Sequence, residues 1–293
     1  MDHLRHRFKV LDDYRAMRPA VPAVSGQTLI ISILAITLLA GCQTSSLGRF
    51  QFKMRSETEM SQMGAAAFTE ISRQTPPSRD ALKNAMVACV ANQITQSLSG
   101  ANSSTRWEVR VFADDSPNAF ALPGGKIGVN TGLLKVARTQ DQLAAVIGHE
   151  VAHVTEGHAN ERVSSEFIAQ TTLQLLSAVA DASNPVHGQM IGLLGAGVQV
   201  GVLLPYGRKH ESEADLVGLD LMAKAGFDPR ESVALWLNMA KAGGGQPPEF
   251  LSTHPSHSSR IYELRQRIPS AMLLYEDAKA RGRRPRCFSH TAR

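Results

Sequence analysis

The apolar positions along this chain change period twice. Residues 28–40 form a thirteen-residue run without a charge, too short for a spanning helix and of the length of a signal-peptide core. A polar stretch around 43–60 reads as a linker. Two helical patterns follow, the second over about 80–98, where Leu82, Met86, Val90 and Ile94 recur at four-residue steps and predict a core-facing stripe. The period then falls to two. Residues 107–111, 118–122 and 126–129 alternate as strands do, with a Pro123-Gly124-Gly125 break, and predict a small β-meander. From Thr139 the pattern is helical almost to the end, interrupted at Asn184-Pro185, at Pro205, at Gly226-Phe227-Asp228-Pro229 and at the glycine- and proline-rich loop 243–248. The fold class expected is therefore α+β and mostly α-helical. No internal repeat is visible, and the residues beyond about Ala278 read as disordered.

Composition narrows the partners. With 293 residues and 43% hydrophobic content the chain can bury one substantial core. The formal charge of +5 is carried by the ends: residues 1–41 have a net charge of +2 and residues 279–293 one of +6, which leaves −3 for 42–278. The folded part is mildly acidic, so no nucleic-acid partner is indicated. Three cysteines, Cys42, Cys89 and Cys287, are too few for a disulfide framework and lack zinc-knuckle spacing.

Leu39-Ala40-Gly41-Cys42, at the end of the apolar run, resembles the lipobox of bacterial lipoproteins. That implies cleavage before Cys42, lipid on its thiol, and a membrane held through the acyl chains. The leader before the run is long, and Met17-Arg18 would give an ordinary one. Gln43 is not the aspartate that retains lipoproteins in the inner membrane. The expectation is a periplasm-facing lipoprotein of the bacterial cell envelope, in the outer membrane. The chain divides into a signal peptide over 1–41 (its start at Met17), a lipidated linker over 42–60, a catalytic-sized domain over 61–270, and a helix end with basic tail over 271–293. Cys89 and Cys287 are the thiols left to pair in an oxidising compartment.

The helix expected after Thr139, with Gln142 three residues on as capping-box partner, contains His149-Glu150-Val151-Ala152-His153. Histidines four apart lie about 40° apart around a helix, so both imidazoles leave one face and can share one metal ion. Glu150 sits off that axis and can reach a water on the metal without becoming a ligand, the H-E-x-x-H arrangement of zinc peptidases. Metzincin spacing fails, because it requires a glycine and a histidine where the chain has Glu156 and Ala159. The third ligand is offered by Glu211-Ser212-Glu213-Ala214-Asp215, read as opening an apolar helix over 216–225. Glu211 and Asp215 are again four apart, so one carboxylate can ligate while the other accepts a hydrogen bond from a ligand histidine.

At these residues the chain resembles the gluzincin peptidase family of the CAAX prenyl endopeptidases, HtpX and the BepA- and LoiP-type proteases. Their H-E-x-x-H is followed some sixty residues later by E-x-x-x-D, and here Glu211 lies 58 residues after His153. The resemblance covers about 60–268 and is nearest to compact single-domain lipoprotein members. It implies a zincin-like helical catalytic domain with the edge strand of the meander bordering the cleft. It also implies one zinc per chain on His149, His153 and Glu211, with Glu150 as base and Asp215 behind a ligand histidine. Glu213 competes for the third position; Glu211 is preferred because only it has an acidic partner one turn on.

Two further stretches resemble the family. Asn118-Ala119-Phe120-Ala121-Leu122-Pro123-Gly124-Gly125 is similar to its edge strand, so Asn118, Ala119, Phe120 and Ala121 are candidates to bind an extended polypeptide substrate by strand addition. Residues 252–260 resemble its H-P-x-x-x-x-R stretch, which places His254 and Arg260 near the cleft as candidates to stabilise an oxyanion. His254 could also act as a fourth zinc ligand in a latent state. His257 fits no family position and is expected in solvent; His158, His187, His210 and His290 read as solvated or structural. The Gly-rich stretch 191–204 is expected to pack closely rather than to serve as a lid.

The mechanism implied is hydrolysis of peptide bonds, in misfolded or unassembled envelope proteins. The metal lowers the pKa of a coordinated water toward about 7, and Glu150 takes its proton and returns it to the leaving amine. The alternative is a non-catalytic zinc-stabilised lipoprotein that binds envelope proteins through the same strand. Glu150 argues against it, since a structural site has no use for a base beside its ligand.

Overall fold

The computed structural model describes residues 42–179, 204–242, 254 and 259–288. The apolar run, Met17, His187, most of the 191–204 stretch, the 243–248 loop, His257 and His290 lie outside these. Among the described residues no helix is long and apolar enough to cross a membrane.

The centre of the fold is a helix whose sides are almost all covered, α4 (Gln140–Thr155). Its run Leu143, Ala144, Val146, Ile147, Val151 and Ala152 is buried, and it packs against α2 (Ala81–Thr95), α6 (Leu204–Lys224), α7 (Glu231–Ala242) and strand β4 (Ala119–Leu122). Its start is set by Thr139, whose hydroxyl accepts from Gln142 N at 3.1 Å. The expected capping box is shifted by one residue: Gln142 Oε1 accepts from Arg138 N at 2.8 Å, while its amide donates to Glu231 Oε2 at 2.8 Å. The side chain thus ties α4 to the head of α7. α8 (Ser259–Ala280) closes the helical layer against α6.

Two glycines fix how close the helices come. A Cβ at Gly148 would lie 2.7 Å from Gly218 O, and one at Gly218 2.6 Å from His149 N, so α4 and α6 cross backbone to backbone. That crossing brings the residues one and two turns before Gly218 alongside the histidines of α4. At the other end of α4, Gly157 takes φ +71°, a conformation that suits glycine, and α5 (His158–Val179) starts at the next residue.

The sheet is not a meander. β3 (Glu108–Phe112), β4 and β5 (Lys126–Asn130) are in the order β3-β5-β4, with β5 parallel to β3 and antiparallel to β4. The turn at Pro123-Gly124-Gly125 makes the β4–β5 hairpin, but the segment between β3 and β4 carries the chain past the β5 position, and β5 fills the gap. Alternation alone does not distinguish these orders. The consequence is that β4 is an edge strand, as expected, while β5 is covered on both sides. Phe120 of β4 stacks on Phe112 of β3 at 5.9 Å and meets Phe68 of α1 (Glu57–Gln74) edge-on at 6.4 Å.

Three further expectations change. In α2 the buried residues are Val87, Val90, Ala91 and Ile94, whereas Leu82 is 63% exposed. Steps of exactly four drift about 40° per turn, and the face that stays inward follows i, i+3, i+4, i+7. The stretch 42–60 is not a plain linker: it holds a strand pair, β1 (Cys42–Thr44) and β2 (Phe50–Phe52), and the capped start of α1 at Ser56. The C-terminal residues are built in as far as 288. A disulfide joins Cys89 to Cys287, as the pairing argument expected. Gln140 brackets the same segment, donating to Pro285 O at 2.9 Å and accepting from Cys287 N at 2.8 Å.

Candidate metal centre

α4 presents His149 and His153 on the face toward α6, and α6 presents Glu211 and Asp215. The five-residue acidic motif sits in the middle of α6, not at its opening, because the helix already begins at Leu204 with Pro205 in its first turn, where proline is tolerated. His149 Nε2 and His153 Nε2 are 3.0 Å apart, and they lie 3.3 and 3.4 Å from the two oxygens of Glu211. His254 completes the group: its Nδ1 is 3.0 Å from Glu211 Oε1 and 3.3 Å from His149 Nε2. Four ligand atoms, one each from His149, His153, Glu211 and His254, lie within 4.8 Å of one another.

The donor set fits zinc. Three imidazole nitrogens and a carboxylate oxygen are its usual ligands, and a tetrahedron with bonds of about 2.0–2.1 Å has edges of about 3.3 Å; contacts of 3.0–3.4 Å occur among these donors, within an overall spread of 4.8 Å.

Two of these residues, His149 and Glu211, are held from behind. His149 Nδ1 meets Asp215 Oδ1 at 3.0 Å, so with Nδ1 protonated the Nε2 lone pair faces the cluster. Arg260 holds Asp215 with Nε and Nη2 at 2.6 and 2.7 Å, lies 3.3 Å from Glu211 Oε2, and stacks on Trp236 at 3.9 Å. It is 1% exposed. Sequence reasoning placed it at an oxyanion. A guanidinium so committed does not reach one, and its place is to hold the two carboxylates.

Burial disfavours a charged His149, but the hydrogen bonds to Asp215 and Glu211 outweigh it and lift the pKa to about 9. Burial also works against an ionised Glu211, and its histidine neighbours overcome it and hold the carboxyl well below the usual range. Asp215 is likewise kept low, against burial, by Arg260 and His149. Both carboxylates are therefore ionised at neutral pH.

Glu150 is different. Burial raises its pKa, only partly opposed by the charges of His254 and His149. Its Oε2 accepts from Ala121 N at 3.1 Å, while Oε1 has no hydrogen-bond partner among the described residues and faces His254 Nε2 at 3.3 Å. A carboxylate of raised basicity with one lone-pair face uncommitted has the attributes of a general base.

Of the strand candidates, Ala121 reaches the site through its backbone. Ala119 is buried under the sheet, and Phe120 is spent on the aromatic cluster with Phe68 and Phe112. Asn118 aligns the strand end by accepting Asn130 N at its carbonyl at 2.9 Å. Glu213, the competing ligand, lies elsewhere: it takes bonds from Ser45 Oγ, from Arg49 and from His158, away from the cluster.

Sequence reasoning missed that second group. His158 and His210, read as solvated or structural, are 4% and 6% exposed and stack at 4.5 Å. With Glu161, Glu213 and Arg49 they form a buried network beside the metal cluster. The signal was the repeat of His and Glu at helical spacing in 158–161 and 210–213, but Arg49 is more than a hundred residues from the first of these, and no local pattern announces it.

Residues 81–268 match the model of peptidase family M48. Mitochondrial metalloendopeptidase OMA1 of Schizosaccharomyces pombe is 40% identical over 176 residues, 59% of this chain and 50% of that protein. The human mitochondrial metalloendopeptidase OMA1 is 34% identical over 245 residues, 78% of this chain and 45% of that protein. The beta-barrel assembly-enhancing protease of Escherichia coli K12 is 30% identical over 178 residues, 58% of this chain and 36% of that protein. The chain thus spans about half the length, or less, of these curated relatives. The expected location is corrected here. The mitochondrial relatives match at higher identity than the bacterial one, and assignment to a bacterial envelope is withdrawn.

Proposed function

The chain belongs to peptidase family M48, and from that premise we propose that it is a zinc-dependent endopeptidase that takes its substrate as an extended strand along β4. The observation that carries the reading is the position of Glu150. Its carboxylate stands between the metal cluster and the outer edge of β4, one oxygen on Ala121 N at 3.1 Å and the other turned toward His254. A strand added to that edge would run its carbonyls past both groups.

His149, His153 and Glu211 would hold the zinc, and Asp215 with Arg260 fixes the first of them. When bound, zinc supplies a Lewis acid that polarises the scissile carbonyl and acidifies water. Glu150 takes a proton from the attacking water and returns it to the leaving nitrogen, a task that its burial-raised pKa suits. Beside Ala121 a small cleft of about 50 Å³, lined in part by Met60, Val154 and His153, can receive a small side chain. Extended backbone is required, so unfolded or locally unfolded polypeptides are the substrates.

His254 occupies the fourth corner of the cluster. We assign this arrangement to a resting state, from which His254 must leave for a substrate carbonyl to enter. The test of the function is cleavage of casein or another unfolded protein with and without a chelator, alongside Glu150→Gln. Cleavage that survives the chelator and the substitution would exclude it.

A further inference from the structure

Imidazole valence dictates where the protons go behind His153. Its Nε2 faces the cluster, 3.0 Å from His149 Nε2 and 3.4 Å from Glu211 Oε1. A neutral imidazole that gives one nitrogen's lone pair to a metal carries its proton on the other. For His153 that is Nδ1, and its neighbour at 2.9 Å is Nδ1 of His158. His158 Nδ1 therefore has to accept, which leaves the His158 proton on Nε2. That nitrogen lies 3.0 Å from Glu213 Oε2, an acceptor. One tautomer of each ring satisfies the whole line.

Glu213 is fixed in turn. Ser45 Oγ donates to its Oε1, and Arg49 donates to its Oε2 from Nε at 2.8 Å and Nη2 at 2.6 Å. Arg49 also bridges to Glu161 with two bonds of 2.8 and 2.6 Å. The strap that carries Ser45 and Arg49 is buckled onto the turn after α4 and onto α5. Ser46 N donates to Glu156 Oε2 at 2.9 Å, Gln51 Nε2 to Glu156 O at 2.6 Å, and Met54 N to Ser164 Oγ at 2.9 Å.

The construction repeats what stands behind His149. There a carboxylate, Asp215, is gripped by a guanidinium, Arg260, and orients the ring directly. Behind His153 a carboxylate, Glu213, is gripped by a guanidinium, Arg49, and reaches the ring through His158. We infer that His158 and Glu213, held by Arg49 of the strap, are positioning residues that set the proton and the ring orientation of His153. The inference rests on the reading of the cluster as a zinc site.

Zinc affinity, measured by competition with a chromophoric chelator, tests it on the full chain. His158→Phe keeps a ring and removes the acceptor, and affinity falls about 10–100-fold, as for other partners of ligand histidines. His158→Gln offers an oxygen that can accept from Nδ1 and restores part of the loss. Wild-type affinity in His158→Phe overturns the inference. So does equal loss in the Phe and Gln variants, because packing and not the acceptor would then be at work. Should His158→Phe fail to fold, Glu213→Gln keeps the shape and weakens the acceptor; it lowers affinity about tenfold, at the lower end of that range, and unchanged affinity there counts against the inference equally. A wild-type chain that binds no zinc would instead remove the reading of the cluster, and the inference with it.

Discussion

Two clusters of histidine and glutamate lie side by side on α4, α5 and α6, and they have been put to different uses. In the inner one, imidazole nitrogens of His149, His153 and His254 converge with a Glu211 oxygen inside 4.8 Å. In the outer one, each histidine faces its own carboxylate, His158 with Glu213 and His210 with Glu161, and the two carboxylates share the Arg49 guanidinium. The outer cluster shares one cation that the chain supplies itself. The inner one turns its donors to a common point, and its guanidinium, Arg260, stands behind the carboxylates. Residue type and helical spacing are nearly the same in both. What separates a metal centre from an ion network is whether the donors converge and which side the arginine approaches from.

The largest effect that bears on this comparison is Glu150→Gln. Glu150 belongs to the inner cluster's chemistry without being a ligand, so the variant retains about one zinc per chain while kcat/KM for an unfolded substrate drops by about a hundred- to ten-thousandfold. Metal analysis and a cleavage assay on the same sample decide it. Retained cleavage refutes the role, and lost zinc makes Glu150 a ligand.

Next in size is the contrast between two glutamates two residues apart. Glu211→Ala removes a converging donor and empties the site at micromolar zinc, and with it the rise in Tm that bound metal gives to the folded state. Glu213→Ala leaves the ligands in place and weakens binding less. If Glu213→Ala alone empties the site, the division into inner and outer clusters is wrong.

The sequence made the inner cluster legible because its ligands obey local rules. His149 and His153 are one turn apart, as are Glu211 and Asp215, and each pair could be read on a single helix. The apolar periods likewise announced α4 and the three strands. Strand order was not legible, since alternation gives β5 two faces and no neighbour. Nor was the role of Arg260: a cation near a cleft suggests an oxyanion, and only the fold reveals that it is buried against Trp236 and two carboxylates. The outer cluster escaped for the same reason, its closing residue being Arg49 in a stretch that reads as linker. Leu82 shows the limit of counting in fours, where a strict period walks off the buried face.

His254→Ala sharpens the inner cluster from its fourth corner. His254 Nδ1 lies 3.0 Å from Glu211 Oε1, where an incoming carbonyl has to stand. Removing it opens the site, so cleavage and autolysis rise several-fold at low substrate while zinc is held less tightly, one donor of four being gone. A fall in kcat at unchanged KM would instead give His254 a part in the transition state. Kinetics and zinc retention both equal to wild type would deny it either role.

The smallest effect expected belongs to the outer cluster, and it concerns pH. Burial opposes ionisation of Glu161, yet hydrogen bonds from Arg49 and His210 outweigh it and bring its pKa from 4.5 down to about 2. Gln51 Nε2 adds a donor at 3.0 Å, and Glu213 shares the same guanidinium. A carboxyl depressed on folding stabilises the fold above its unfolded pKa and loses that contribution as pH falls toward the folded one. The window is therefore about 4.5 down to 2. One pKa unit corresponds to about 1.4 kcal/mol, but Arg49 is 22% exposed and serves two carboxylates, so the contribution at neutral pH is discounted to about 1–2 kcal/mol. Denaturant titrations of metal-free wild type and Glu161→Gln check this. The stability difference should hold steady above pH 5 and shrink toward zero as acid is added. A difference that stays constant through that window would mean that shape and not charge holds the strap, and the outer cluster would cease to be an ion network.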